Sequence, residues 1–507
     1  MTTLDNPFRL DGYIYKITDY MASYSPDVVD KNPTAAFLLA GSMIGFITKA
    51  YITYNCMPAN AQIFLIGPPK SGKSSLISAI KLTAPHFFIY GGTPEWVEQQ
   101  LVYKRTDMGF PTIIIAFDEF GQILSHKQKR SYLSDLDILL KRLYGHESIE
   151  SGRVTKTPRI LPQYSYYANV LMALTYEDYE EGSSAITTAF IRRLLSLELR
   201  EKIPRSKALR RVVDVGKLYT VTSILEDLYQ YQANVIVHDN LVARIENALE
   251  DIESEGERVG LIDECIDACV DYFWKIMAWR AIDRALTKNQ YEESEFFPLA
   301  KKWLEQSKIK FTPIDVYVYP EDIYIAADIV IEYIVPNYHF FSFLGDPAIA
   351  KVWRRMKRLL QRRKEVDIRY IAMYLKVKYS FLLEVLKTLS LAGLIEVIDE
   401  NDNVVPLEGI EELSGKWRIR LAQERRKYIK PLALLKELRK KEKWAVDKFD
   451  EEQLKAIIVL LEEELAWLIE VKGKWYVTVH PHIVQAALGR GFSVWTGEEA
   501  IRRLGVR

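Results

Sequence analysis

GPPKSGKSS, residues 67–75, sets two glycines, a lysine and a hydroxyl at the spacing GxxxxGK[ST]. In that pattern backbone N–H groups can close around phosphate oxygens at a helix N-terminus, where the peptide dipoles favour anions. Gly67, Pro68, Pro69, Lys70, Ser71, Gly72, Lys73, Ser74 and Ser75 are therefore the candidate phosphate-binding residues. Lys73 would contact the β- and γ-phosphates of a nucleoside triphosphate, and the Ser74 hydroxyl would ligate Mg²⁺. ATP and Mg²⁺ are the expected ligands.

Asp118 and Glu119 end the apolar run PTIIIAF. Asp118 would hold the Mg²⁺, directly or through water, and Glu119 would orient and deprotonate an attacking water. The dull alternative is an acidic helix cap or a solvated strand end. Thr175 ends a third apolar run, ANVLMALT, where a hydroxyl could touch the γ-phosphate or the attacking water. An ordinary strand-end threonine reads the same way. Arg192 and Arg193 interrupt AITTAFIRRLLSLEL. Either of them could reach a neighbouring subunit's γ-phosphate, or make a surface salt bridge.

These residues need elements to hold them. AQIFLIG (61–67), PTIIIAFDEF (111–120) and ANVLMALT (168–175) read as buried parallel strands. SGKSSLISAIKL has helical spacing, and Gly91-Gly92-Thr93-Pro94-Glu95 reads as a turn, a threonine N-cap and a first helical turn. Strands alternating with helices predict an α/β domain with a mostly parallel sheet. The expected layout is a helical lead-in at 1–58, the α/β core at 59–204, a mainly helical middle region at 205–343, and two modules at 344–423 and 424–507. The last two rest on a repeat: LAGLIEV (391–397) returns as LAWLIEV (465–471), and GKWRIRL (415–421) as GKWYVTV (473–479). Helices followed by strand, turn and strand describe a winged helix. The second copy would turn at Lys472-Gly473, and the first would carry a longer wing. Two unrelated hairpins with similar strands are the plainer alternative.

The bulk composition sets limits. The 507 residues carry 68 basic and 68 acidic side chains, so nucleic-acid binding would need local basic patches. Three cysteines exclude a disulfide framework and fit a reducing, cytoplasmic setting; Cys265 and Cys269 read as helix packing and not as half a metal site. No signal peptide is visible at the start. AAFLLAGSMIGFI (35–47) is too short for a comfortable membrane span and reads as a buried helix.

The order of the phosphate loop, the DEF aspartate strand, the strand-end threonine and AFIRRLL resembles AAA+ P-loop ATPases of the helicase clade. AFIRRLL resembles the LLSRFDL segment of minichromosome maintenance helicases, and DEFGQIL their DEFDKM. GTPE at 92–95 and LLKRLYG at 139–145 are more similar still to helicase-like ATPases of phages, plasmids and integrated elements. The resemblance covers roughly residues 30–200. It implies an α/β AAA+ core with Walker A, Walker B and sensor 1 positions, a homo-oligomeric, hexameric ring, and an arginine acting in trans, which the LLSRFDL likeness would place at Arg193. Two departures stand out: Thr175 replaces the usual sensor asparagine, and no zinc ribbon is present.

ESIESGRVTKTPRILPQY (147–164) could form a hairpin; in the resembling helicases a hairpin at this place projects into the ring channel, which would present Arg153 and Lys156 to nucleic acid, and a plain surface hairpin is the alternative. KVWRRMKRLLQRRK (351–364) offers Arg354, Arg355, Arg358 and Arg362 to phosphates. Trp353, Met356, Leu359 and Leu360 give it an apolar stripe, so a packed helix with a solvated basic face is the alternative. Glu451, Glu452, Glu462, Glu463 and Glu464 would turn the second winged helix away from DNA and toward a protein partner. The leading expectation is a DNA-dependent ATPase, a ring-forming helicase or translocase. The alternatives are a nucleotide-switched regulator or scaffold, and a packaging or conjugation ATPase.

Overall fold

A computed structural model of the chain describes residues 12–108, 110–118, 120, 130–151, 159–182, 193–199, 213–296, 311–344, 352–353, 355–357, 359–360, 363, 365–391, 395–407, 410, 412–421, 443–446, 449, 454, 457, 461, 466–471 and 473–504. Two compact units are present: Leu10–Glu424, and a second that holds Arg425–Arg507.

The first unit is built on a five-stranded sheet whose members are all parallel. Its strands are β1 (Gln62–Ile66), β2 (Phe88–Tyr90), β3 (Thr112–Phe117), β4 (Tyr167–Leu174) and β5 (Leu195–Glu198), in spatial order β2-β3-β4-β1-β5. Every residue of β1, β3, β4 and β5 is buried. Continuous apolar runs such as TIIIAF mark strands covered on both faces, as parallel sheets require. Helices flank the sheet: α1 (Pro33–Ile47), α2 (Lys73–Thr83), α3 (Pro94–Met108), α4 (Arg130–Gly145), α5 (Tyr176–Gly182) and α6 (Asp263–Lys288). The expected threonine cap at α3 is present, with the Trp96 amide donating to Thr93 Oγ1 at 3.2 Å.

AAFLLAGSMIGFI lies within α1 and is buried along its whole length. Among the described residues no helix is long and apolar enough to cross a membrane. Cys265 and Cys269 are buried on α6. That helix anchors the first strand through polar contacts: Lys275 Nζ donates to Asn60 O at 2.7 Å, and Tyr272 Oη to Gln62 O at 3.0 Å.

The middle region differs from the expectation. It is rich in helix, but Tyr231–Ile236 and Thr312–Tyr317 are strands paired in parallel, at the centre of a second five-stranded sheet. The lead-in supplies two further strands to it, Tyr51–Ile52 and Met57–Pro58. The lead-in at 1–58 and the middle region at 205–343 therefore share one sheet. The strand YQANVI hides its nature because Gln232 and Asn234 are buried. Asn234 Nδ2 lies within hydrogen-bond distance of Ser294 Oγ, Phe296 O and Asp315 Oδ1, and Asn234 Oδ1 accepts from Gln232 Nε2 at 3.0 Å, while Gln232 Oε1 is buried without a partner. Lys49, which ends the apolar run of α1, is buried too. Its ammonium donates to the Ile47 carbonyl at 2.9 Å and the Tyr231 carbonyl at 3.2 Å, and lies 4.1 Å from the Tyr229 ring centroid.

The repeated blocks adopt one topology twice. In the first copy, Glu365–Asp367 and Ile395–Ile398 flank Arg418–Leu421, all antiparallel, with α7 (Ile368–Leu375) and α8 (Tyr379–Leu391) between the first two strands. In the second copy, Trp444–Ala445 and Trp467–Val471 flank Lys474–Thr478 in the same order. A fourth strand, Ser493–Trp495, extends that sheet. Val471 pairs with Lys474, and Gly473 has φ 73°, so the second copy turns where the sequence predicts. Shared strand order in both copies favours duplication over chance similarity.

Candidate functional site

The phosphate-loop residues lie between the end of β1 and the start of α2. Gly72, at the N-cap of α2, has φ 97°, a conformation that side chains rarely adopt. Gly67 meets a different constraint: a Cβ there would lie 2.3 Å from the Leu199 carbonyl oxygen, where β5 leaves the sheet. Lys73 begins α2 with its side chain turned back into the loop. Its ammonium donates to Gly67 O at 2.8 Å, Pro68 O at 2.9 Å and Ser71 Oγ at 3.2 Å. Burial pulls its pKa down to about 8, while the negative charges of Asp178, Glu177 and Asp118 push the other way. Ser74 follows it on α2 and is exposed, while Ser75 is buried.

Strand register brings the other candidates to the same end of the sheet. Ile66 pairs with Leu174, so Thr175 stands beside Gly67. Phe117 pairs with Met172, so Asp118 ends the next strand over, one residue beyond the pairing. Because β4 lies between β1 and β3, Thr175 falls between the loop and Asp118. Asp118 Oδ1 is buried and has no hydrogen-bond partner. A buried, unpartnered carboxylate oxygen is costly unless a ligand satisfies it. Among the described residues no cluster of three or more His, Cys, Asp or Glu side chains could hold a metal alone. Mg²⁺ takes one or two carboxylates together with substrate phosphates. Lys73, Ser74 and Asp118 thus fit Mg²⁺-ATP.

Thr175 does more than end a strand. It caps α5 in a reciprocal box: its Oγ1 accepts from the Asp178 amide at 3.1 Å, and Asp178 Oδ2 accepts from the Thr175 amide at 3.1 Å. The Thr175 hydroxyl also donates to that same carboxylate oxygen at 2.6 Å. Asp178 and Glu177 were not among the sequence candidates, although both act electrostatically on Lys73. The signal was present as T-Y-E-D, a capping-box spacing.

Arg193 lies elsewhere. β5 runs parallel to β1 with Leu195 beside Ile63, so Arg193 enters at the opposite end of the sheet from Gly67. At about 3.3 Å per residue, the separation along the strand is roughly 20 Å. Arg193 therefore does not join the site of its own chain. Its guanidinium is 6.0 Å from the Tyr144 ring centroid.

The expected hairpin has its stem in Ile149–Ser151 and Arg159–Leu161, paired antiparallel. Arg153 and Lys156 lie outside the described residues, as do Glu119, Arg192, Arg354, Arg358 and Arg362, and the glutamates 451, 452 and 462–464. Trp353, Met356, Leu359 and Leu360 are buried while Arg355 is exposed, so the apolar stripe of this segment is its packed side. That segment reaches toward the Gly67 end of the sheet: the Lys357 ammonium is 5.0 Å from the ring centroid of Tyr176, the first residue of α5.

Comparison with models of known protein families gives no match for this chain. Comparison with curated proteins gives none either.

Proposed function

We propose that the chain is a DNA-dependent AAA+ P-loop ATPase, a ring-forming helicase or translocase of a virus, plasmid or integrated element, working in the cytoplasm. One observation carries the ATPase part. Lys73, Asp118 and Thr175 converge at the C-terminal ends of three adjacent parallel strands, with an unpartnered carboxylate oxygen among them.

Each residue then has a task. On ATP binding, the Lys73 ammonium leaves the carbonyls of Gly67 and Pro68 for phosphate oxygens. Ser74 and Asp118 would hold Mg²⁺, which when bound would supply charge neutralisation at the phosphates. Water attacks the γ-phosphorus, the bond to the ADP oxygen breaks, and Glu119 takes the proton from the water. The Thr175 hydroxyl, released from Asp178, donates to the γ-phosphate or positions the attacking water. Arg193, remote from its own site, serves a neighbour's site in a homo-oligomer. The paired modules at 344–423 and 424–507 are winged helices. The first faces DNA together with Arg355 and the 147–164 hairpin, and the second faces a protein partner.

The test is ATP hydrolysis with and without single- and double-stranded DNA, on wild type, Lys73→Ala, Glu119→Gln and Arg193→Ala. Wild type should be stimulated by DNA, and each variant should lose at least tenfold in turnover. Mixing Arg193→Ala with Lys73→Ala subunits should restore activity, because the second variant supplies the missing arginine. Equal turnover with and without every form of DNA would overturn the motor reading. Slow turnover with tightly retained ADP and no DNA binding at low salt would mark a nucleotide-switched regulator instead.

A further inference from the structure

We propose that the outer face of α7 and the start of α8 form a stacking platform for single-stranded nucleic acid. This deepens the nucleic-acid half of the proposed function and rests on it. The residues that form the face are not among the basic positions singled out from the sequence.

α7 divides cleanly. Ile368, Ile371, Ala372 and Leu375 are buried against the small sheet, at the i, i+3, i+4, i+7 spacing of an inward stripe. The opposite side presents Tyr370, Met373 and Tyr374, which are 38%, 76% and 46% exposed, and Tyr379 opens α8 at 42%. Four large apolar side chains therefore face outward within ten residues. The Tyr370 and Tyr374 rings are nearly parallel, 9° between planes with centroids 6.3 Å apart. The Arg363 guanidinium sits 4.7 Å from the Tyr370 centroid.

Cations border the aromatic surface at both ends. Arg363 and Arg369 are exposed beside Tyr370, while Lys376 and Lys378 are exposed in the turn between Tyr374 and Tyr379. Two exposed acids lie nearby, Asp367 before α7 and Glu384 one turn into α8, so the balance remains positive.

This chemistry selects the partner. Flat π-faces interleaved with cations suit a strand whose bases are unpaired and whose phosphates run alongside, since every base can stack and every nucleotide carries a charge. A duplex hides its base faces. It would instead be read by a helix carrying Arg, Asn or Gln toward base edges. The outward residues of α8 include Ser380, Glu384, Lys387 and Thr388, which is a poor set for that task. An apolar protein partner would want an aliphatic groove, and Met373 is the lone aliphatic side chain of this face.

The experiment measures binding of the full chain to fluorescent oligothymidine, oligouridine and duplex DNA by anisotropy across a salt series. Tyr370→Ala with Tyr374→Ala should weaken single-strand binding roughly 5- to 100-fold per tyrosine. Tyr370→Phe with Tyr374→Phe should keep it, because the rings remain. Lys376→Gln with Lys378→Gln should lower the slope of log affinity against log salt by about 1.4, at roughly 0.7 per phosphate contact on a single strand. The oligothymidine and oligouridine arms decide between DNA and RNA. Unchanged single-strand binding in the double alanine variant overturns the platform. So does an equal loss of duplex binding, or loss of self-association in its place. Lys73→Ala separates the two proposals: it should abolish ATP turnover and leave oligonucleotide binding by the nucleotide-free protein intact. Turnover surviving in Lys73→Ala would sink the nucleotide site and spare the platform.

Discussion

The Lys73 ammonium is bonded to carbonyls of its own loop, contacts it would give up for phosphate under the proposed function. Burial holds its pKa near 8 in place of the ordinary 10.5. Phosphate binding should pull that pKa back up. Below pH 8 the ammonium is already charged and nucleotide affinity should be flat. Above pH 8 binding must first restore a proton, so affinity should fall by up to tenfold per pH unit. Calorimetry in buffers of different ionisation enthalpy should show proton uptake on nucleotide binding at pH 9 and little at pH 7. Asp178 offers a second test at this scale. The Thr175 hydroxyl has one proton, now donated to Asp178, and it cannot reach phosphate or water at the same time. Asp178→Asn keeps an oxygen for the cap but removes the charge that competes. Nucleotide affinity should rise several-fold in equilibrium binding. Helix stability should fall by about 1 kcal/mol as the cap weakens.

The hairpin at 149–161 rises from a base whose keystone is buried. His146, just beyond the end of α4, has φ 50° and packs against the rings of Tyr164, Tyr166 and Tyr167. Neither ring nitrogen has a hydrogen-bond partner. Burial, with a smaller push from Lys275, holds its pKa down to about 3 against an ordinary 6.5. Between those values the unfolded chain binds a proton that the folded one refuses. Stability present above pH 6.5 is therefore lost as pH falls through that window. His146→Phe should flatten the decline in melting temperature between pH 7 and pH 5. The larger ring should also cost about 1–3 kcal/mol at neutral pH by overpacking a fully buried site. An unchanged acid slope would assign the sensitivity to other groups.

The two compact units each carry a core of their own. The second is built on Ile457, Leu461, Ala466, Leu468, Val477 and Ala500. A chain ending at Glu424 should therefore fold, melt cooperatively, and bind nucleotide within about threefold of the full chain. Loss of nucleotide binding in that truncation would show that the second unit supports the site. Within the first unit the segment leading into the first three-stranded module touches the Gly67 end of the sheet, because the Lys357 ammonium lies over Tyr176 next to the Thr175 cap.

Much was legible from local pattern. The strand–loop–helix around Lys73, the apolar strands before Asp118 and Thr175, the Thr93 cap and the repeated blocks all depend on neighbours close in sequence. For these, burial on both faces and turn chemistry leave a direct trace. Three features left no such trace. The second sheet escaped because its central strand buries Gln232 and Asn234, and the acceptors of the Asn234 amide lie about 60 to 80 residues away. Asp178 reads as an ordinary cap until the register of β1 and β4 sets it near Lys73. The remoteness of Arg193 from Gly67 is a property of parallel strand pairing, which no single segment encodes. The sequence by itself determined which residues could bind phosphate and which segments could be strands or helices, since those follow from side-chain chemistry and short-range periodicity. Only the tertiary structure decided that Lys73, Thr175 and Asp118 share one end of a sheet and Arg193 the other. Strand order and register bring together residues separated by tens to more than a hundred positions.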